Sequence, residues 1–217
     1  MRVAKKKSLT KTINAAFGWD KKPVRKGKSL GSIATADEIK DMNYVLMDLG
    51  PYAKYFHKPA TNFTAMYHGE PGAGKTTFLL KFANWFATNK GSVLFISAEE
   101  YGSPTLSEKL KQIKNISSNL TFAGSLDALS NYHPDLVIID SVQVAKLSLD
   151  QFQKYKKRYQ QTAFILLVQK NKKGDFKGTK DWEHEVDIAG NVMFNEAGKR
   201  ILDTYKNRYG NVSEELI

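Results

Sequence analysis

The sequence predicts an α/β domain: a mostly parallel central sheet, helices on both of its faces, and antiparallel strands at the carboxyl-terminal end. Two observations predict it. From residue 63 onward, short apolar segments alternate with amphipathic ones. The segments at residues 136–139 and 163–168 are almost wholly apolar, as strands covered on both faces are. A length of 217 residues suffices for one such domain and an appendage of several dozen residues.

Each element is predicted from its local pattern of apolar residues and turn formers. The predicted helices of the domain cover residues 76–88, 107–114 and 148–159, and Ser148 is the expected cap of the last one. The predicted strands are residues 64–68, 93–96, 120–122, 136–139, 163–168, 191–194 and 200–205. The last two are joined by the turn-forming run Asn195-Glu196-Ala197-Gly198.

The amino-terminal residues differ from this domain in charge. Residues 1–30 contain ten basic side chains and one acid, a net charge of +9, whereas the whole chain carries +11. Residues 1–34 are therefore expected to form a basic, flexible arm that contacts a polyanion or an acidic protein partner. A solubilising tail and a targeting peptide are the alternatives.

A further helix is predicted ahead of the domain, in residues 35–57, and we interpret this segment as a linker. Thr35 and Glu38 have the spacing of a capping box. Behind them Ile39, Met42, Leu46 and Leu49 fall on one helical face, and Gly50-Pro51 is expected to end the helix. This apolar stripe should pack on the chain's own core or on a neighbouring subunit. The main domain is then expected to span residues 58–217.

Composition excludes several classes of protein. There is no cysteine, so disulfide frameworks and cysteine-based zinc sites are ruled out. No apolar run approaches the roughly 18 residues that a membrane span requires. We therefore expect a cytoplasmic protein that does not enter a membrane.

One motif carries most of the functional argument: residues 69–76 match the pattern GxxxxGK[ST] without deviation. Its glycines let successive backbone amides point at phosphates, and the following helix adds its positive N-terminal end. Lys75 is expected to bridge the β- and γ-phosphates of ATP, and Thr76 to bind Mg²⁺. The predicted nucleotide-binding residues are Gly69, Glu70, Pro71, Gly72, Ala73, Gly74, Lys75, Thr76 and Thr77.

Acidic residues end two predicted strands that should lie near this loop. Asp140 follows the apolar strand 136–139 and is expected to orient water on Mg²⁺, although a strand-ending Asp alone more often forms a turn. Glu99 and Glu100 follow strand 93–96. Two adjacent residues of an extended segment cannot point the same way, so at most one of them can activate the attacking water. A solvated acidic loop is the alternative.

Four segments together carry a resemblance to a known family. They are residues 94–100 (LFISAEE), 137–143 (VIIDSVQ), 183–187 (EHEVD) and 206–210 (KNRYG). In this order they resemble motifs of RecA-like P-loop ATPases, and especially of the bacterial RadA/Sms branch of DnaB-type ring motors. The resemblance covers residues 60–211. Tyr209 stands where the family signature has Phe, and about two extra residues precede Phe194.

The resemblance implies roles for individual residues. It implies that Glu99 is the catalytic base and that Gln169, at the end of a strand, senses the γ-phosphate. Lys206 and Arg208 match a Lys-x-Arg pair that reaches the ATP of the adjacent subunit in related motors. A guanidinium supplied in this way neutralises charge that develops in the transition state. The alternative is that both are merely exposed basic residues.

The resemblance also implies a DNA-binding loop after the strand that ends near Val168. The segment that follows contains two glycines, five lysines and one aromatic residue, a composition that suits sequence-independent binding to single strands. The predicted nucleic-acid-binding residues are Lys170, Lys172, Lys173, Phe176, Lys177 and Lys180. A solvated loop is the alternative.

These expectations define a leading hypothesis and two alternatives. The leading one is a Mg²⁺-dependent, DNA-stimulated ATPase that assembles as a homo-oligomeric ring or filament and moves along or remodels single-stranded DNA in recombination, repair or replication. The second is a non-motor ATP switch, loader or packaging accessory, of a phage or mobile element for example. A small-molecule kinase is disfavoured because no Arg-rich lid is recognisable. The resembled proteins also carry a zinc module and a protease-like domain, neither of which is apparent here.

Overall fold

The computed structural model describes residues 33–42, 44–169 and 179–217, apart from the side chains of Thr179 and Lys180. These residues form two compact units, divided between Tyr44 and Val45. In the described part of the second unit, eight strands form one sheet. They are β1 (Thr64–His68), β2 (Val93–Ser97), β3 (Leu120–Ala123), β4 (Leu136–Asp140), β5 (Ala163–Leu167), β6 (Ile188–Phe194), β7 (Arg200–Asn207) and β8 (Ser213–Leu216).

The strands lie in the order β3-β2-β4-β5-β1-β6-β7-β8. The first six are parallel, and β7 and β8 continue the sheet antiparallel. Since parallel strands all end at the same edge, the segments after β1, β2, β4 and β5 meet at what we call the carboxyl edge of the sheet. The predicted fold class is confirmed.

The described part of the first unit contains one short helix, α1 (Ala36–Lys40). In the second unit, helices cover both faces of the sheet. They are α2 (Ala53–Phe56), α3 (Lys75–Asn89), α4 (Pro104–Lys111), α5 (Leu149–Arg158) and α6 (Thr179–Glu185), with 3₁₀ turns at Gly50–Tyr52 and Leu126–Ser130. As predicted, Ser148 caps α5: its side chain accepts a hydrogen bond from the Gln151 amide, and the Gln151 side chain bonds back to Ser148.

The two faces of the sheet bury different side chains because neighbouring residues of a strand point in opposite directions. Ala65 and Tyr67 of β1 face the core beneath α3, whereas Met66 faces the core beneath α5 and α6. Phe82 of α3 is fully buried, and its ring stacks on that of Phe56 with centroids 4.6 Å apart. Aromatic packing of this kind fixes α3, and with it the loop that precedes α3.

The predicted linker helix is wrong in length. The Thr35–Glu38 capping box forms as expected, but α1 ends at Lys40. From Val45 the backbone takes a different course: Leu46 forms an isolated bridge with Ala60, and the Met47 amide donates to the Pro59 carbonyl at 2.7 Å. The supposed stripe does not form, because Leu49 is fully buried whereas Ile39 and Leu46 are about half exposed.

Other segments also differ from the prediction, including β6, which begins at Ile188 and not at residue 191. Strand β8 has the sequence Ser-Glu-Glu-Leu, without an apolar run, and only its pairing with β7 makes it a strand. Helix α4 begins three residues earlier than predicted, at Pro104, where Ser103 provides a cap. The short helix α2 places Tyr55 and Phe56 in the core, although both fall in the predicted linker.

Candidate nucleotide site and opposite basic edge

The phosphate loop joins β1 to α3, as its sequence predicts. Three of its residues, Gly69, Gly72 and Gly74, have φ angles of 144°, 80° and 96°. Residues other than glycine rarely adopt these conformations. At Gly69 there is also no space: a Cβ would lie 2.1 Å from the Val192 carbonyl oxygen. The loop is therefore held in a fixed shape between its own helix and strand β6.

The side chains of Lys75 and Thr76 occupy the first turn of α3. Lys75 Nζ donates to the carbonyl oxygens of Gly69 and Glu70, both at 2.8 Å, so the ammonium lies over the loop where phosphates would accept its protons. Thr76 Oγ1 donates to Asp140 Oδ2 at 2.7 Å. The structure thus brings together the two residues predicted to bind Mg²⁺.

The hydroxyl and carboxylate of this pair are oxygen ligands that suit Mg²⁺, which keeps several of its waters and takes further oxygens from phosphates. No group of three or more acidic or histidine side chains that could hold a metal occurs in the described ranges. Burial raises the pKa of Asp140 above its ordinary value, against the opposing effect of the Thr76 hydrogen bond, and the charges of Glu100 and Glu99 raise it further. A bound cation would stabilise the ionised carboxylate.

Glu99 and Glu100 point to different partners, as the geometry of an extended segment requires. Glu99 Oε2 accepts a hydrogen bond from Gln169 Nε2 at 2.9 Å. Glu100 is bound to Lys109 of α4, with Nζ–O distances of 2.6 and 2.7 Å. Of the two acids, Glu99 is the exposed one, and it lies beside Gln169, for which the resemblance implies contact with the γ-phosphate.

Lys206 and Arg208 lie at the opposite edge of the sheet. Asn207 pairs with Ile188, the first residue of β6, and Ile188 pairs with Ala65 near the start of β1. The phosphate loop begins at Gly69, four residues beyond Ala65 and therefore about 13 Å away at 3.3 Å per residue. The structure therefore does not bring this basic pair to the nucleotide site of its own chain.

Asp187 holds Arg208 in place, a contact that the sequence reasoning missed. Arg208 Nη1 lies 3.1 Å from Asp187 Oδ1, and the other carboxylate oxygen accepts from the Thr64 amide and hydroxyl, each at 2.9 Å. Lys206 Nζ donates to the Glu183 carbonyl, and partial burial, with the nearby charge of Arg208, lowers its pKa. The only feature of the sequence that pointed to Asp187 was the resemblance of segment 183–187 to a family motif.

Gln143 is a second residue that sequence reasoning did not assign. Its side chain accepts from the Gln169 amide at 3.0 Å and donates to the Gln169 carbonyl at 3.3 Å. This pair of bonds fixes the backbone of Gln169, whose side chain contacts Glu99. Gln143 falls within the segment 137–143, so the same resemblance pointed to it.

The predicted DNA-binding loop lies outside the described residues, except for the backbone of Thr179 and Lys180. Lys170, Lys172, Lys173, Phe176 and Lys177 lie outside the described residues, as do residues 1–32 of the predicted arm. Lys180 belongs to α6, although its side chain is not described. The described residues that flank this loop are Gln169, at the carboxyl edge, and helix α6, which contacts Lys206 and Arg208.

The fold and the phosphate loop are those of RecA-like P-loop ATPases. The flagellar accessory protein FlaH of Methanocaldococcus jannaschii has the same fold, with a TM-score of 0.61 at 15% identity over 81% of this chain and 100% of FlaH. A KaiC-like protein of Pyrococcus horikoshii gives a TM-score of 0.53 at 16% identity, covering 79% of this chain and 94% of that one. At these identities the likeness shows the fold alone.

In sequence the chain resembles bacterial RadA, as its motifs predicted. It is 33% identical over 172 residues to the DNA repair protein RadA of Chlamydia pneumoniae, covering 69% of this chain and 37% of the relative. The corresponding protein of Bacillus subtilis is 26% identical over 224 residues, 92% of this chain and 47% of the relative. The chain thus spans less than half the length of these curated relatives, and no protein-family model matches it.

Across the described ranges, no helix combines the length and the apolar character needed to cross a membrane.

Proposed function

We propose that the chain is a Mg²⁺-dependent ATPase that assembles into a ring or filament, binds single-stranded DNA, and translocates on it or remodels it in recombination, repair or replication. The observation that carries the proposal is the division of the predicted catalytic residues between two edges of one sheet. The phosphate loop, Asp140 and Glu99 lie at the carboxyl edge, and Arg208 lies at the other.

The carboxyl edge supports ATP binding and hydrolysis. Backbone amides of the phosphate loop and the Lys75 ammonium would hold the phosphates, and Thr76 and Asp140 would hold Mg²⁺. The cation, when bound, neutralises charge on the phosphate oxygens. Glu99 would accept a proton from the attacking water, and Gln169, which donates a hydrogen bond to Glu99, would contact the terminal phosphate.

The opposite edge supports assembly. Arg208 is 57% exposed in its side chain, so its guanidinium is accessible to a second molecule even while Asp187 orients it. A guanidinium delivered to a neighbour's γ-phosphate raises hydrolysis by about 10³–10⁵-fold. Because Arg208 lies far from its own phosphate loop, its catalytic role requires a second subunit.

Single-stranded DNA is proposed as the polymer that this ATPase acts on. The lysine-rich segment 170–180 follows Gln169 directly, and residues 1–30 carry a net charge of +9. Lysines neutralise phosphates without regard to sequence, and an aromatic residue such as Phe176 can stack on a base. The curated relatives that the chain resembles are named DNA repair proteins.

A mixing experiment tests the two-subunit site. Lys75→Ala should abolish hydrolysis by removing a phosphate contact, and Arg208→Ala should abolish hydrolysis while ATP binding is retained. In an equal mixture of the two variants, some sites are complete. In these sites the Arg208→Ala chain supplies an intact phosphate loop, and the neighbouring Lys75→Ala chain supplies an intact Arg208. Random assembly makes about a quarter of all sites complete, so activity should return to about that fraction of the wild-type rate.

No recovery in the mixture, or normal hydrolysis by Arg208→Ala alone, would overturn the two-subunit site. The DNA part is tested separately, by measuring the ATPase rate of the wild type with and without single-stranded DNA over a range of protein concentrations. We expect the rate per chain to rise with both. A rate that responds to concentration but not to DNA would instead favour an ATP switch that acts on protein partners.

A further inference from the structure

The end of the β6–β7 hairpin touches the phosphate loop at two places. Gly69 abuts the Val192 carbonyl, as described above. At the other end of the loop, a Cβ on Gly74 would lie 3.2 Å from Cδ and 3.7 Å from the guanidinium carbon of Arg200. The first residue of β7 therefore lies directly beside the turn from which α3 begins.

Phe194 and Arg200 form a pair at this end of the hairpin. They are directly opposite each other in the β6–β7 register, so their side chains emerge on the same face of the sheet. The guanidinium carbon lies 5.7 Å from the centre of the Phe194 ring, within cation–π range. Phe194 is 49% exposed. Within the described part of the chain, no carboxylate lies within ion-pairing distance of Arg200.

The turn below this pair is rigid. Asn195 Oδ1 accepts hydrogen bonds from the amides of Ala197 and Lys199, at 3.1 and 2.9 Å. The Asn195 amide donates to the Lys199 carbonyl at 2.9 Å, and Gly198 has a φ of 69°. An exposed aromatic ring and a cation are thus held on a fixed turn, where little entropy would be lost on binding a ligand.

The strand order indicates which end of a nucleotide comes near this pair. Asp140 ends β4 and Glu99 follows β2, and both of these strands lie on the β5 side of β1. The hairpin begins with β6, which lies on the other side of β1. Since the groups that act on the terminal phosphate lie on the β5 side, the nucleoside end of the molecule should leave the loop on the β6 side.

We propose that Phe194 and Arg200 form the stacking surface for the base of the bound nucleotide. A ring and a planar guanidinium both offer flat faces to a base, whereas a phenyl ring offers nothing to a phosphate. This inference rests on the proposed ATPase function, because it assigns the nucleoside part of the same ligand.

The test compares the dissociation constants of ATP and of inorganic tripolyphosphate, both with Mg²⁺, for the wild type and for Phe194→Leu and Arg200→Ala. Leucine keeps the apolar volume but removes the ring. Each variant should bind ATP about 10-fold more weakly, since stacking on one side chain has about that effect. Tripolyphosphate, which has no base, should bind all three proteins within about twofold.

Two control variants remove a nearby apolar side chain and a nearby cation, to match Phe194→Leu and Arg200→Ala respectively. Met193→Ala truncates the adjacent exposed side chain on the other face of β6, and Lys199→Ala removes a cation from the turn. Both should bind ATP like the wild type, and Phe194→Tyr, which retains a ring, should do so too. Unchanged ATP affinity in Phe194→Leu and Arg200→Ala would overturn the inference, as would an equal loss of tripolyphosphate affinity.

The two proposals fail in different ways. If the wild type binds and hydrolyses ATP but Phe194→Leu and Arg200→Ala are normal, only the stacking surface is wrong. If the wild type binds neither ATP nor tripolyphosphate, the ATPase function itself is wrong, and the stacking surface with it.

Discussion

At the scale of single residues, the adjacent carboxylates of Glu99 and Glu100 differ in their partners. Glu99 is exposed and bonded to Gln169, whereas Glu100 is tied to Lys109. Of these two acids, Glu100 has a cationic partner among the described salt bridges and Glu99 has none. The carboxylate of Glu99 is therefore the better candidate to accept a proton. The resemblance favoured the same residue.

We predict that Glu99→Gln lowers the rate of ATP hydrolysis by about 10²-fold or more, because it removes the proton acceptor. ATP affinity should be nearly unchanged, since the amide retains the size of the side chain. Glu100→Gln is the matched control: it breaks the ion pair with Lys109 and should leave most of the activity. Single-turnover hydrolysis and equilibrium binding measure both. An equal effect of the two substitutions would contradict the assignment.

We predict that Asp140→Asn stabilises the protein without nucleotide but removes the stabilisation that Mg²⁺ and ATP provide. The raised pKa means that the ionised carboxylate is disfavoured in the folded state. The folded protein therefore binds this proton more tightly than the unfolded chain does, and ionisation costs stability above the folded pKa. Asparagine avoids that cost and still accepts a hydrogen bond from Thr76.

Thermal unfolding at several pH values measures the effect of Asp140→Asn. The advantage of the variant should be greatest above the folded pKa of Asp140 and should shrink as the pH falls toward the pKa of an unfolded aspartate. A variant that is less stable than the wild type at neutral pH without ligand would show that the carboxylate is not destabilising.

The closeness of Thr76 and Asp140 could be predicted from sequence, because carboxyl ends of parallel strands meet at one edge. The contacts of Gln143 and Asp187 could not. Gln143 reaches Gln169 because β4 and β5 are neighbours, and Asp187 reaches Thr64 because β6 lies beside β1. Strand order depends on pairing between distant segments, which local pattern does not encode.

At the scale of elements, the start of β6 and the end of β7 form one hydrogen-bonded unit around Asp187. We predict that Asp187→Asn lowers ATP hydrolysis by about 10- to 100-fold, because a displaced Arg208 no longer meets its target. ATP affinity should be unchanged, since this unit lies at the edge away from the phosphate loop. The measurement is the rate at saturating ATP beside the dissociation constant.

Glu185→Gln is the control for Asp187→Asn, because Glu185 lies on the same segment and pairs with Lys156 at 2.6 Å instead. Hydrogen bonds donated by Lys156 and Gln153 hold the pKa of the Glu185 carboxyl below its ordinary value, so Glu185→Gln also removes a real interaction. Activity should nevertheless remain close to that of the wild type. If both variants lose activity equally, Asp187 acts only by keeping the segment folded.

Elements with strong local signals were predicted correctly, whereas elements with weak or misleading signals, such as the linker helix and β8, were not. Strand β4 has an apolar run and β1 leads into the phosphate loop, so both were found. The periodicity of residues 39–49 suggested a long helix, but Leu49 and Met47 are buried by tertiary packing, not by a helical face. Strand β8 has no apolar run and is the last strand of the sheet, so only its pairing with β7 defines it.

At the scale of the whole molecule, charge is concentrated at the amino terminus. We predict that removing residues 1–30 weakens binding to single-stranded DNA and lowers the slope of log affinity against log salt, by about 0.7 for each phosphate that the arm neutralises. Fluorescence anisotropy over a salt series measures the slope. A control that replaces the same residues by a neutral Gly-Ser segment of equal length separates charge from length.

An unchanged salt slope after this deletion would show that the arm does not bind the phosphates, and would favour a protein partner for it. The deletion should not alter ATP hydrolysis in the absence of DNA, because the predicted catalytic residues all lie between residues 69 and 208.

The placement of Arg208 and the phosphate loop at opposite edges determines how many complete ATP sites an assembly contains. A contact that joins two different surfaces is heterologous, so it propagates from one subunit to the next. If each site needs both surfaces, the two ends of an open filament are incomplete. At one end a phosphate loop has no neighbouring Arg208, and at the other end an Arg208 has no neighbouring phosphate loop. A filament therefore has one fewer complete site than it has subunits, whereas a closed ring has as many sites as subunits. Activity per chain would then rise with filament length but stay constant for a ring.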